Sequence, residues 1–255
     1  MLGESGCFKR VRAPVLEDVG PDDIFRYYED RARELECLVA DLRMEIAGAR
    51  LSGLICLKRD DEFEVLIQGY ALAGAPGFEL VSSGSRFQLL IPLERAFYAN
   101  EPDLLGGAAD QISSMKAFSE EFFHPLLLLD QFPLLMGQLR RKGCEYVWKV
   151  DGEGYRLIEL DGHEKVRVLW FDPESLALSR IEVYVEGEFF GEVILKRGVF
   201  SSVSRFGWVP RRLQINYQGE RHTITLDRLR INPDPAPEIF FRHASGYTTI
   251  LLTEQ

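Results

Sequence analysis

The chain reads as mainly β with some α, an antiparallel sheet curved around helices or around an apolar ligand. Three observations predict this. Apolar residues recur at period two through most of the sequence, one helical insertion interrupts those runs, and several strands are apolar on both faces. No sustained β-α-β alternation occurs, which disfavours a parallel sheet.

The first element is a helix. "PDDIFRYYEDRARELECLV" opens on Pro and Asp and sets Ile24, Tyr27, Tyr28, Arg31 and Leu35 at helical spacing, predicting one amphipathic helix over residues 22 to 36. From Leu42 the period becomes two, in Leu42, Met44 and Ile46, then Leu51, Ile55 and Leu57, then Phe63, Val65 and Ile67, then Phe87, Leu89 and Ile91. Each run is a half-buried strand. Arg59-Asp60-Asp61 and Ser82-Ser83-Gly84-Ser85 are the turns that join such strands as hairpins.

Strands stop between residues 101 and 143. "SSMKAFSEEFFHPLLLLDQFPLLMGQLRRKG" is helical material, expected over 109 to 141, broken by Pro125 and Pro133 and capped by Gly143. Its apolar piece from Phe122 to Leu129 is about eight residues, too short for the roughly twenty that cross a bilayer. It reads either as bland packing against a sheet or as a hydrophobic lid, since it holds more large side chains than one helix face needs. A second meander follows, from "CEYVWKV" to "HTITLDRLRI", with turns at Asp151-Gly152-Glu153-Gly154, Asp161-Gly162 and Glu186-Gly187. Leu66 and Tyr70 oppose Val65 and Ile67, and Val147 opposes Tyr146 and Trp148, so such strands must cover both faces.

Composition narrows the function. The 255 residues are 46% hydrophobic and 27% charged, which suits a globular chain with a full core. Thirty basic against forty acidic residues leave a formal charge of -10, which opposes binding to nucleic acid. Four cysteines show no CxxC pair, so neither a zinc ribbon nor a thioredoxin-like site is suggested. Cys37, Cys56 and Cys144 stand in apolar stretches and read as buried thiols.

Cys7 is different. In "ESGCFKRVRAPVLEDVGPDD" a small pair precedes it and a basic, Pro-containing tether follows, which resembles the lipobox and mature start of a bacterial lipoprotein. The apolar h-region is absent and Glu4 stands where a lipobox usually has Leu, so lipidation of Cys7 is expected only if the native precursor carries a signal peptide. The alternative is an ordinary disordered N-terminus.

The order of helix, β-meander, helical insertion and second β-meander resembles the bacterial lipoprotein-localisation family LolA/LolB. Three stretches carry the resemblance: "FEVLIQGYALAGAPGFELVSSGSRFQLLIPLERAFYA", "DPESLALSRIEVYVEGEFFGEVIL" with "WVPRRLQINYQ", and "RLRINPDPAPEIF". It implies an incomplete barrel with helices packed in or over its concave face and a lipid-binding cavity inside. The domain would run over 21–245, after a flexible tether at 1–20 and before a tail at 246–255, with the insertion at 101–143. The cavity wall expected from the alternation is Leu42, Met44, Ile46, Ile55, Leu57, Val65, Ile67, Phe87 and Leu89, with Phe122, Leu126 and Leu129 in the lid. The membrane-anchored type of that family is similar in having a protruding loop tipped by an exposed Leu. "YALAGAPG" matches that loop by position and Leu72 matches the Leu, as a membrane contact. The other reading of Leu72 is that it caps the barrel mouth or packs on a neighbour.

Enzyme chemistry has little support. His124, His163, His222 and His243 stand in no metal-ligand spacing, and no GxSxG, P-loop or dinucleotide fingerprint occurs. Glu120 and His124 share a helix face, yet no third group accompanies them, so a solvated helix start is the plainer reading. The expectation is a non-enzymatic monomer without metal or cofactor. It would bind acyl lipid or a lipoprotein client and meet a membrane surface at the periplasmic side of the outer membrane. The rival classes are a structural envelope lipoprotein that binds protein partners, and an enzyme using the apolar cavity.

Overall fold

The computed structural model describes residues 19–46, 49–59, 63–70, 76–83, 86–92, 95–99, 132–141, 143–151, 154–196, 209–242 and 248–251. The helix α1 spans Pro21–Glu34, with Pro21 at its first turn, Asp22 and Asp23 near its N-terminus and Arg31 and Arg33 in its last turn. Each charge opposes the helix dipole at its own end. The amide of Gly20 donates to the Asp23 carboxylate at 3.0 Å, closing the helix start.

Six strands follow: β1 (Cys37–Ile46), β2 (Ala49–Arg59), β3 (Phe63–Tyr70), β4 (Pro76–Ser83), β5 (Arg86–Ile91) and β6 (Ala96–Ala99). A one-turn helix, α2 (Phe132–Leu135), precedes the second series. That series is β7 (Glu145–Asp151), β8 (Gly154–Asp161), β9 (Glu164–Phe171), β10 (Leu178–Val185), β11 (Glu188–Lys196), β12 (Arg212–Tyr217) and β13 (Glu220–Ile231). Glu186 and Gly187, both with positive φ, make the tight hairpin between β10 and β11.

With β14 (Thr248–Leu251), all the described strands belong to one sheet, in the order β14-β6-β5-β4-β3-β2-β1-β13-β12-β11-β10-β9-β8-β7. Every pairing among β1 to β13 is antiparallel. β14 is the exception and pairs parallel to β6. The two ends, β14 and β7, are not paired with each other, which makes the sheet an incomplete barrel. The two meanders meet at β1 and β13, where Leu42 faces Leu226 and Met44 faces Ile224. The chain between β6 and β7 therefore runs from the strand beside one end of the sheet to the strand at the other end.

The inner face carries the main core, in which α1 contributes Ile24, Phe25 and Tyr28 and the segment after α2 contributes Met136 and Leu139. Tyr28 fixes the helix there: its hydroxyl accepts from the Leu178 amide at 2.6 Å and donates to the Leu176 carbonyl at 3.3 Å. Gly137 has φ +82, and a Cβ there would lie 2.9 Å from the Tyr28 carbonyl oxygen, so glycine lets the post-α2 segment lie on α1. Asn232 joins three elements. Its Oδ1 accepts from the Glu36 and Cys37 amides at 3.0 Å each, and its Nδ2 donates to the Glu34 carbonyl at 2.8 Å.

The outer face of the first meander is also covered. Ile239, in the stretch after β13, packs on Cys37, Val39 and Cys56. Arg242 donates through Nη2 to Glu79 at 3.0 Å and through its amide to Gln88 at 2.9 Å, and Gln68 donates to Glu79 at 2.7 Å.

Candidate functional site

The inner wall of the first meander follows from strand alternation alone. In β1, β2 and β3 every second residue turns inward, which places Leu42, Met44, Ile55, Leu57, Val65 and Ile67 on one buried surface, and Leu89 of β5 continues it. These seven expected wall residues are all buried and share one apolar cluster. Ile46 and Phe87 lie in β1 and β5, with their side chains outside the described set. Phe122, Leu126, Leu129, Leu72 and Cys7 all fall outside the described residues, as do Glu120, His124 and His243.

The wall is wider than the alternation suggested. Phe78 and Leu80 of β4, Ile91 of β5 and Tyr98 of β6 extend it, and Leu157, Leu169, Ile181, Val193, Ile215 and Ile224 carry it through the second meander. Leu134, Leu135, Met136 and Leu139 lie in the same cluster. A pocket of about 340 Å³ opens between α1 and residues 137–140, with Phe25, Ala32 and Leu139 in its lining beside Arg33, Arg59 and Arg140. Arg140 there is paired with Glu29 at 3.2 Å and Asp22 at 3.6 Å.

One feature of the inner face escaped the sequence reading. Glu159 of β8 is 0% exposed and accepts from Arg167 of β9, at 3.0 Å from Nε and more closely from Nη2. The register pairs Glu159 with Arg167 as it pairs Leu157 with Leu169, so the two charges stand in phase with the apolar face. That phase was the available signal. Arg141 approaches the same carboxylate at 3.7 Å, and the Cys144 thiol hydrogen-bonds it. Burial, then the Glu159 charge, push the Cys144 thiol up, and burial raises the Tyr146 phenol. Both stay neutral near neutrality. The Tyr146 hydroxyl accepts from the Arg141 amide at 2.6 Å, so this polar station anchors the chain entering β7.

His222 is buried opposite Ile215, with Nε2 3.6 Å from Glu220, and burial lowers its pKa. Among the described residues no group of three or more His, Cys, Asp or Glu is arranged to hold a metal ion, and no helix is long and apolar enough to cross a membrane. The inner wall can thus offer extended apolar contact, with charge confined to the Glu159–Arg167 station and the rim around Arg33, Arg59 and Arg140.

No family model matches the chain, and no curated protein matches it. Among solved structures, an outer membrane lipoprotein-sorting protein domain from Vibrio parahaemolyticus superposes with a TM-score of 0.51 at 10% identity, covering 82% of this chain and 91% of that one. A DUF1329 family protein from Desulfovibrio piger gives a TM-score of 0.52, also at 10% identity, with the same 82% and 91% coverage. At such identity the likeness is one of fold. The chain therefore has the unclosed, curved-sheet fold of that lipoprotein-sorting domain, the fold implied by its resemblance to LolA/LolB.

Proposed function

We propose that this protein is a lipid-binding protein of the bacterial envelope, which receives or carries lipoprotein acyl chains and delivers them to the outer membrane. The observation that carries the reading is the inner wall of the first meander, apolar from β1 to β6, in a fold shared with a lipoprotein-sorting domain. Ligand sites for such molecules are concave and mostly apolar. Each acyl methylene moved from water to this wall contributes ~0.8 kcal/mol, so one chain gives useful affinity without polar contacts. Leu134, Leu135, Met136 and Leu139 share the wall's cluster, so on this reading they move off it when a chain enters. The protein acts as a monomer and not as an enzyme. It sits at the periplasmic side of the outer membrane, held by a lipid on Cys7 where the native precursor carries a signal peptide, with Leu72 touching the bilayer.

Native mass spectrometry of the protein purified from a membrane-containing host tests the binding. Co-purifying acyl lipid is the expected result, and a stoichiometric protein subunit in its place refutes the carrier reading. Leu72→Glu tests delivery. It should leave thermal stability unchanged and lower transfer of a lipidated client to liposomes, because one inserted leucine contributes at most about 1.5 to 3 kcal/mol. Loss of folding in this variant would assign Leu72 to the core, and normal transfer would reduce the loop to a turn.

A further inference from the structure

Cys37 and Cys56 sit on neighbouring strands of the first hairpin. The register sets Cys37 opposite Lys58 and Cys56 opposite Val39, so the cysteines occupy diagonal positions on the same outer face. Both are free, 2% and 0% exposed, and with Val39 they form a small cluster apart from the main core. Their side chains hydrogen-bond each other.

We propose that Cys37 and Cys56 are a dithiol–disulfide site, in which Cys37 is the sulfur that meets an external disulfide and Cys56 is the sulfur that closes the bridge. Adjacency is the first support: the two side chains lie on the same face of neighbouring strands and share one small cluster, and a shift of the diagonal pair toward each other brings them within the span of a bridge. Access assigns the order. A pocket of about 760 Å³ between the start of β1 and residues 232–236 is lined by Cys37, Lys58, Arg59 and Asn232, and Cys56 is not part of its lining. Charge agrees with that order: the hydrogen bond from Cys56, aided by Lys58 and Arg230, brings the Cys37 thiol below its ordinary value against the effect of burial. Cys56, the donor of that bond and fully buried, is held well above its own.

The chemistry is exchange with a small disulfide such as oxidised glutathione. The Cys37 thiolate attacks one sulfur of that disulfide, forms a mixed disulfide and expels the first thiolate. The Cys56 sulfur then attacks Cys37, breaks the mixed disulfide and expels the second thiolate. The two protein thiols are oxidised to one bridge, the external disulfide is reduced to two thiols, and the two protons leave on those thiols. Occurrence of the bridge in the cell rests on the envelope location proposed above, because that compartment is oxidising. The exchange itself does not.

The test uses the full chain, equilibrated in glutathione buffers from reducing to oxidising, alkylated with N-ethylmaleimide in denaturant and mapped by peptide mass spectrometry. A linked Cys37–Cys56 peptide, protection of both thiols and an alkylated Cys144 are expected. Cys56→Ser should accumulate glutathione on Cys37, and Cys37→Ser should leave Cys56 free. Full alkylation of both wild-type thiols after oxidising equilibration overturns the proposal, and glutathione on Cys56 in Cys37→Ser overturns the assigned order. The wild-type map decides even if a serine variant fails to fold. A chain that forms the bridge and binds no acyl lipid refutes the lipid reading alone, whereas one that binds lipid with both thiols free in oxidising buffer refutes this one.

Discussion

On the outer face of the first meander Val39, Cys56, Val81 and Phe97 are buried, and residues after β13 lie over part of that surface. The same face of the second meander carries Arg180 bound to Glu182 at 2.8 Å and to Glu192 at 2.6 Å, with Asn216 donating to Glu192 at 2.6 Å. The inner faces differ in the opposite sense, because the only described charges within the apolar inner wall belong to β8 and β9 of the second meander. One continuous sheet thus behaves as two materials. A strand apolar on both faces requires a cover on each, and here the end of the chain supplies the second one.

The largest expected effect tests the charged pair. Arg167→Ala leaves the Glu159 carboxylate buried without its main partner and should cost about 3–5 kcal/mol in urea unfolding at neutral pH. The double variant Glu159→Leu with Arg167→Met should recover most of that loss, and a single variant that costs nothing would erase the difference between the two inner walls. The next contrast lies on the outer faces. Leu90→Ala, at a buried outer position of β5, should cost about 2–5 kcal/mol. Ile194→Ala, at a half-buried outer position of β11, should cost about 1 kcal/mol, because its site is partly wet already. Equal losses would mean that the second meander is covered as well.

The smallest effect is at the seam. Burial holds the folded pKa of His222 below its ordinary 6.5, with the Glu220 charge acting in the other direction. As pH falls, the unfolded chain takes up the proton first, so this contribution to stability is intact above about 6.5 and is lost progressively below it. His222→Gln should flatten the decline of melting temperature between about pH 7 and pH 5. A steeper decline in the variant would show that the wild-type imidazole is held charged.

Strands β1, β2, β3 and β5 were legible because each buries one face more deeply than the other and so imposes period two on its residues. β6 was not legible in that way, since Ala96, Phe97, Tyr98 and Ala99 are all buried and show no alternation. β14 is four residues long and owes its place to β6, a partner far away in the sequence that no local pattern announces. The burial of the seven described residues expected in the wall was readable for the same reason as their strands. Glu159 and Arg167 looked like ordinary surface charges beside a turn, although their phase with Leu157 and Leu169 already put them inside. The covering of the outer face by Ile239 and Arg242 depends on where an irregular stretch is laid down, which periodicity does not encode.

The junction made by Asn232 has a consequence for the order in which the molecule can be assembled. Its side chain binds the Glu36 amide across 196 positions of sequence, beside the pairing of Leu38 with Ile231. As the chain emerges from a ribosome or a translocation channel, β1 to β6 appear first, apolar on both sides, while the strand that flanks β1 and the residues that shield the outer face are still to come. A nascent first half is therefore the form most exposed to aggregation, and contacts of such long range make folding slow. Any factor that keeps this chain soluble must hold the first meander until the last fifth of the sequence has arrived.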